Sequence, residues 1–210
     1  MPNSRSSPPE PALNLSLVDL NDKQEQILQG AMAVFLHAGY ARTSMDQVAA
    51  TAGVSKQTIY SHFQDKQGLF TALIERVTIH HFYIEFGSEP LQGEPEPILR
   101  RLAAVMLGRM ADREYLSFLR LVIAESAQFP QLAQLYTQTV LQRATQILSV
   151  YFESHPELQI ADPIATARIF FGALAGFILA QEVLHGKDTM PMAQERLVES
   201  LVSLILNRKF

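Results

Sequence analysis

Within seven residues, Lys56, Gln57, Thr58, Tyr60 and His62 bring together an ammonium, a carboxamide, two hydroxyls and an imidazole. Ammonium and hydroxyl groups donate to phosphate oxygens, and a carboxamide donates and accepts at once, as a base edge in a major groove requires. This chemistry needs one helix that turns those side chains outward. The spacing supplies it, because Ile59 and Phe63 stand four apart and point the other way. Ser55 is placed to cap that helix. Upstream, Ser44 and Gln47 make an S-x-x-Q capping box that starts another helix. Val48, Ala49 and Ala52 recur at helical spacing, and Ala49 is small enough for a close helix crossing. Gly53 can take the left-handed conformation that ends a helix without a Cβ penalty. Two short helices around a tight turn are expected, with the second presented to DNA as a helix-turn-helix.

The residues beyond the turn carry a resemblance. Ile27, Ala31, Phe35 and Ala38 lie on a first helix, followed by Gly39-Tyr40, Thr43, Val48-Ala49, Ala52-Gly53-Val54-Ser55, Tyr60, Phe63, Lys66 and Leu69-Phe70. Over about Lys23 to Phe70 the order and spacing resemble the DNA-binding domain of the TetR family of bacterial transcriptional regulators. The resemblance implies an all-α fold, with a three-helix head joined by a long fourth helix to a larger ligand-binding and dimerisation domain. It implies a homodimer whose two recognition helices enter successive major grooves of a near-palindromic double-stranded operator. Lys56, Gln57 and Thr58, at the start of the recognition helix, are then the candidates for base-edge and nearby phosphate contact. Ser44 and Ser55, at the helix starts, are further DNA-binding candidates, and Thr43, Tyr60, His62 and Lys66 would mainly fix phosphates. It further implies repression relieved by a small hydrophobic effector, which shifts the fourth helix. The stretch from Glu114 to about Leu179, including LRLVIAESAQFPQLAQLY and ARIFFGALAGF, resembles the C-terminal domain of an AcrR/AefR-like subgroup.

Composition agrees with a helical globular protein. Of 210 residues 48% are hydrophobic, while glycine and proline number only 10 and 11. The absence of cysteine excludes disulfides, thiolate metal sites and a thiol redox sensor. Net charge is −4; residues 1–66 hold five Lys/Arg against six Asp/Glu, so DNA affinity must come from a few placed contacts. MPNSRSSPPEPALNLS has no continuous apolar segment of the kind a signal peptide carries. The longest apolar run, Ile169–Ala180, is shorter than a bilayer requires. A cytoplasmic protein without a membrane segment is expected.

Breakers divide the chain. Residues 1–20, with four prolines and three serines in the first eleven positions, read as a disordered tail. Residues 21–66 form the DNA-binding domain and 67–210 the second domain. Asp22 and Glu25 make a D-x-x-E start for helix one, which runs to Ala38, and Asp65 caps a fourth helix reaching about Phe86. GSEPLQGEPEP, Phe129-Pro130, HPELQIADP and HGKDTMP separate five further helices, about nine in all.

The second domain offers candidates of weaker specificity. Phe82, Phe86, Met106, Met110, Phe118, Tyr136, Phe170 and Phe177 could line an apolar effector cavity or serve as ordinary core. Gly172 and Gly176 form a G-x-x-x-G ridge on helix eight. With the Leu197, Leu201 and Leu204 stripe of helix nine, it would serve a four-helix dimer bundle or close packing within one subunit. His81 and Glu85 share a helical face but supply only two potential metal ligands, so no metal is expected. Arg120 and Glu125 fit a buried pair, a polar anchor in a cavity, or surface groups. No nucleophile elbow, phosphate loop or catalytic carboxylate set is present, and neither enzymatic activity nor a cofactor is expected.

Overall fold

The computed structural model describes residues 21–206. The tail expected at 1–20 lies outside the described residues, as do residues 207–210. Among the described residues there are nine helices and no strand.

The head begins with α1 (Asp22–Arg42). Its cap is Asn21, whose side chain accepts from the Gln24 N–H while the Gln24 side chain accepts from the Asn21 N–H. The box therefore starts one residue before the D-x-x-E pattern, and Glu25 is free for another task. Ile27, Leu28, Ala31 and Phe35 are fully buried. Gly39, at φ 75°, interrupts α1 just past Ala38, where the helix was expected to end. α2 (Met45–Ala52) carries the expected Ser44–Gln47 box and ends at Gly53, at φ 64° and ψ 38°. α3 (Lys56–Phe63) starts from Ser55, whose hydroxyl accepts from the Thr58 N–H at 3.0 Å. α1 and α2 cross at Gly30, where an added Cβ would lie 2.7 Å from the Ala52 Cβ and 2.9 Å from its backbone. The sequence reading placed the small residue of this crossing at Ala49 and missed Gly30.

α4 spans residues 66–86, capped by Asp65 as expected. It is α-helical at Lys66–Ile74, widens into a π-helix at Glu75–Ile79 and returns to α-helix at His80–Phe86. α5 (Pro95–Gly108) tightens into a 3₁₀ turn at Arg109–Ala111, and α6 (Arg113–Glu125) follows. α7 covers residues 130–153 with a π-helical stretch at Thr137–Gln142. α8 covers residues 163–183 and is π-helical at Leu179–Val183. α9 (Gln194–Ile205) closes the described chain. Proline at the first turn of α5, α7 and α8 suits positions whose N–H has no helical partner.

The hydrophobic core runs without a break from head to body. Phe35 and Tyr40 of α1 meet Phe70 of α4 edge-on at 5.2 and 5.3 Å, and Phe70 meets Phe118 of α6 at 5.4 Å. α8 is a continuous helix of 21 residues, longer than the apolar run Ile169–Ala180, and by length and composition alone it passes the test for a membrane span, as the core helix of a soluble protein also does. Only 28% of its most apolar stretch is buried, so much of this helix is uncovered in a single chain.

Candidate functional site

Two regions of the structure gather functional groups. The first is the outer face of α2 and α3. Gln57 is exposed, and Tyr60 is 42% exposed despite its ring. Lys56 is exposed and pairs with Asp46 at 2.9 Å; that carboxylate raises its pKa. Thr58 and His62 are half-buried at the margin, and Ile59 and Phe63 are buried beneath. The Ser55 and Thr58 hydroxyls lie 2.7 Å apart, and the Ser44 hydroxyl lies 3.0 Å from Gln47 Oε1, so both serines spend their side chains on the helix starts.

Two of the expected phosphate-binding residues are placed differently. Thr43 is only 4% exposed and its hydroxyl donates to the Gly39 carbonyl at 2.7 Å, which fixes the turn between α1 and α2. Lys66 is half-buried, with its ammonium 4.3 Å from the centre of the Tyr40 ring and donating to the Ala41 carbonyl at 3.3 Å. Burial pushes its pKa down. Its first task is to hold the end of α1, where tertiary contact has overridden a surface role.

The second region is a cavity of about 340 Å³ between α4, α5, α6, α7 and α8. Each of the three π-helical stretches contributes to its wall: Thr78 and Ile79, Val140 and Leu141, and Leu179. A π-turn widens the helix and displaces its neighbours, and such turns occur often at functional sites. Phe82, Met106 and Tyr136 line the cavity as the sequence suggested. The other five candidates are elsewhere. Phe86 stacks on Phe82 at 5.0 Å beneath the Arg101 guanidinium. Phe118 is 1% exposed at the junction with Phe70, and Phe170 is fully buried core. Met110 and Phe177 face a separate cleft of mixed polarity with Gln181 and Gln194. All eight sit at helical spacing, and only tertiary packing separates wall from core.

Sequence reasoning missed Arg109 and Tyr115 in the wall. Arg109 is 9% exposed; it donates to the Val77 carbonyl at 2.7 Å, pairs with Asp112 at 2.8 Å and lies 2.7 Å from His81 Nε2. Because arginine can only donate, His81 Nε2 accepts and the ring is neutral; burial, then Arg109, pushes its pKa down. Tyr115 and Tyr136 lie side by side, and burial pushes both phenols up. Glu85 pairs with Arg101 at 2.5 Å, so neither half of the potential His81–Glu85 ligand pair is spare. Among the described residues no group of three or more His, Asp or Glu could hold a metal.

Arg120 and Glu125 are not a pair. Arg120 donates to the Glu182 carbonyl at the end of α8, while Glu125 accepts the Tyr40 N–H of the head at 3.2 Å. On α8, Gly172 and Gly176 are exposed, with nothing within 4 Å of an added Cβ. Ile169 is 63% exposed on the same stripe, and Leu204 of α9 is 65% exposed. Leu201 differs from its expected interface place: it is buried in its own subunit, and Leu197 is half-buried.

Comparison with known proteins agrees with these two regions. The family model "Bacterial regulatory proteins, tetR family" matches residues 27–73, and that of the "AefR-like transcriptional repressor, C-terminal domain" matches residues 97–208. The chain is 25% identical to the HTH-type transcriptional regulator YvkB of Bacillus subtilis, covering 87% of this chain and 94% of YvkB. It is 27% identical to the HTH-type transcriptional regulator AcrR of Shigella flexneri over about half of each chain, 53% and 52%. Among solved structures, the flavonoid-responsive regulator FrrA superposes with a TM-score of 0.70 at 27% identity, over 88% of this chain and 95% of FrrA. A TetR-family regulator from Mesorhizobium loti gives 0.63 at 28% identity over the same shares. With its head and its body each matched, the chain belongs to the TetR family of bacterial transcriptional regulators and carries an AefR-like C-terminal domain.

Proposed function

We propose that this regulator represses transcription as a homodimer on a near-palindromic operator and is released when a small molecule fills the cavity between α4 and α8. The observation that carries this reading is the double use of one helix. The π-helical stretch of α4 supplies Thr78 and Ile79 to the cavity, and the same stretch holds Arg76, which grips Glu25 of the head at 2.7 Å. A ligand that changes this stretch moves the residue that grips the head. Its differential affinity for the two states supplies the switching energy, and complete reversal from 1:99 to 99:1 needs about 5.5 kcal/mol.

Lys56, Gln57 and Tyr60 present the accessible groups of the DNA face, with Thr58 and His62 at its edge. Ser44, Ser55, Thr43 and Lys66 would act mainly by holding the helices that carry them. The uncovered stripe of Ile169, Gly172 and Gly176, with Leu204, supports a dimer through α8 and α9. The cavity argues against a constitutive DNA-binding scaffold, for which a filled body would serve.

Selecting bound fragments from a genomic DNA library identifies the operator. Titrating candidate effectors against that complex then tests release. Operator binding that no cavity-filling compound weakens would leave a DNA-binding protein without the proposed switch.

A further inference from the structure

The head carries few cations, and most of them are engaged within the protein. Residues 21–66 hold four: Lys23, Arg42, Lys56 and Lys66. Lys56 pairs with Asp46, while Lys66 lies over the Tyr40 ring and donates to the Ala41 carbonyl. Lys23 donates to Gln26 on the first turn of α1, at the far end of that helix from the turn into α2. Arg42 differs. It is exposed, and its Nε–H donates to the Ala38 carbonyl one turn back at 3.0 Å, which anchors the guanidinium on the end of α1. Among the described residues it has no carboxylate partner, and its two Nη groups have no acceptor.

The surroundings of Arg42 place it at the edge of the outer face of α2 and α3. The end of α1 touches the start of α4 through Ala41 and Lys66, and the start of α2 touches the start of α3 through Asp46 and Lys56. Arg42 stands one residue from the first contact and four from the second. The end of one helix and the starts of three others therefore gather at one edge. Both carboxylates there are committed, Asp46 to Lys56 and Asp65 to the Gly68 N–H. Arg42 is the cation of this edge that still has donors to give.

We propose that Arg42 grips a phosphate of the DNA backbone and supplies the unspent cationic contact of each head. This rests on the reading of the α2–α3 face as the DNA interface and adds to it a residue that the sequence patterns did not single out. A guanidinium held through Nε offers its Nη donors as a fork, which matches the oxygens of a phosphate. Such a contact carries no base identity and fixes the position of the protein on the duplex. Each phosphate neutralised releases counterions, so the contact is read in the salt dependence of binding.

Binding of the purified protein to a fluorescent duplex of random sequence, followed by anisotropy over a range of salt concentrations, measures this without a known operator. The parent is compared with Arg42→Gln, Arg42→Lys and Lys23→Gln. Arg42→Gln should flatten the log–log salt slope by about 0.9 for each head engaged. Lys23→Gln makes the same change in net charge but lies about 20 Å or more away along α1, beyond the screening length, and should leave the slope as it is. Arg42→Lys keeps the charge without the fork, so it should keep the slope while binding up to several-fold more weakly. Melting temperatures should match that of the parent, since substitutions at exposed positions seldom disturb a fold. An Arg42→Gln protein with the parent slope, a Lys23→Gln protein flattened as much, or an Arg42→Lys protein that lost the slope would overturn the inference and leave the DNA-binding reading standing. A parent protein that bound no duplex even at low salt would remove both.

Discussion

Arg76 of α4 holds Glu25 of α1 from two sides, with Nη2 2.7 Å from Oε1 and Nε 2.8 Å from Oε2. Its remaining Nη1 lies 2.9 Å from Glu114 of α6. One guanidinium thus joins the head, the connecting helix and the body. Two-pronged pairing of this kind fixes orientation as well as distance. The backbone link from the Tyr40 N–H to Glu125 is a second tie between the same two parts.

Arg76→Leu should leave the chain folded but loosen this joint. A loss of about 1–2 kcal/mol is expected for the charged hydrogen bonds, near the lower end because solvent reaches Glu25. The larger effect should be on coupling, with ligand affinity kept and ligand-driven release of DNA weakened. Arg76 also holds the Glu25 carboxyl below its ordinary value of 4.5. A depressed carboxylate pKa contributes stability that is fully present above about that value and is lost as pH falls through the lower folded one. Glu25→Gln should therefore show a shallower fall in melting temperature on acidification below pH 4.5 than the parent. Equal slopes for the two proteins would mean the pair adds nothing to the joint.

Much of the head could be read from sequence because its signals are local. Ser44 with Gln47, Gly53, Ser55 and Asp65 act within four residues of themselves, and each sits in the structure where the pattern puts it. The start of α1 shows the limit. Asn21–Gln24 and Asp22–Glu25 fit capping equally well, and what removes Glu25 from the box is Arg76, 51 residues away. In the body the same limit is wider. Phe118 and Tyr136 obey one helical periodicity, yet one is core and the other is wall. Nor does any residue pattern announce the three π-helical stretches, each of which borders the cavity.

On the proposed DNA face, Asp46 pairs with the Lys56 ammonium, the group proposed to meet a phosphate. Asp46→Asn should free that lysine and strengthen operator binding several-fold at low salt. The effect should shrink as salt rises, because released counterions carry it. Gln57→Ala should instead relax sequence preference at one or two positions per half-site, costing about 1–3 kcal/mol of discrimination. Binding to a randomised operator at two salt concentrations separates the two. A Gln57→Ala protein with unchanged preference would exclude this carboxamide from base contact.

The crossing of α1 over α2 leaves no room at Gly30, where backbone of Ala52 and not a flexible side chain stands in the way. Gly30→Val should destabilise the head by about 1–3 kcal/mol or more, since the two helices must separate to admit it. Thermal or urea unfolding measures this. Operator binding should be lost in proportion. A protein as stable as the parent would show that the crossing can widen without cost.

The stripe on α8 predicts association. An added Cβ at Gly172 or Gly176 meets nothing within 4 Å inside one subunit, so neither Gly172→Leu nor Gly176→Leu should unfold a lone chain. If a second chain covers this face, both changes should dissociate the dimer, as seen by sedimentation at micromolar concentration. Leu204→Glu, at a 65% exposed position, should act in the same way. Gly176 also borders the cavity, so its variant should perturb ligand binding where Gly172→Leu does so only through dissociation. A parent protein that sediments as a stable monomer would leave the operator without its second half-site reader.

Phe118 and Tyr136 give the sharpest separation of fold from response. Phe118 packs on Phe70 where the head meets the body and is 1% exposed. Phe118→Ala should cost about 3–5 kcal/mol by removing a buried ring and leaving a void. Operator binding and effector binding should then fall together with stability. Tyr136 lines the cavity beside Tyr115, and Tyr136→Phe removes one hydroxyl without changing the volume of the ring. That variant should keep its operator affinity without ligand while shifting the effector concentration needed for release. Melting curves and ligand-dependent DNA binding on both variants settle the assignment. If Tyr136→Phe altered ligand-free operator affinity as much as it altered induction, the ring would belong to the core and the cavity wall would have to be redrawn.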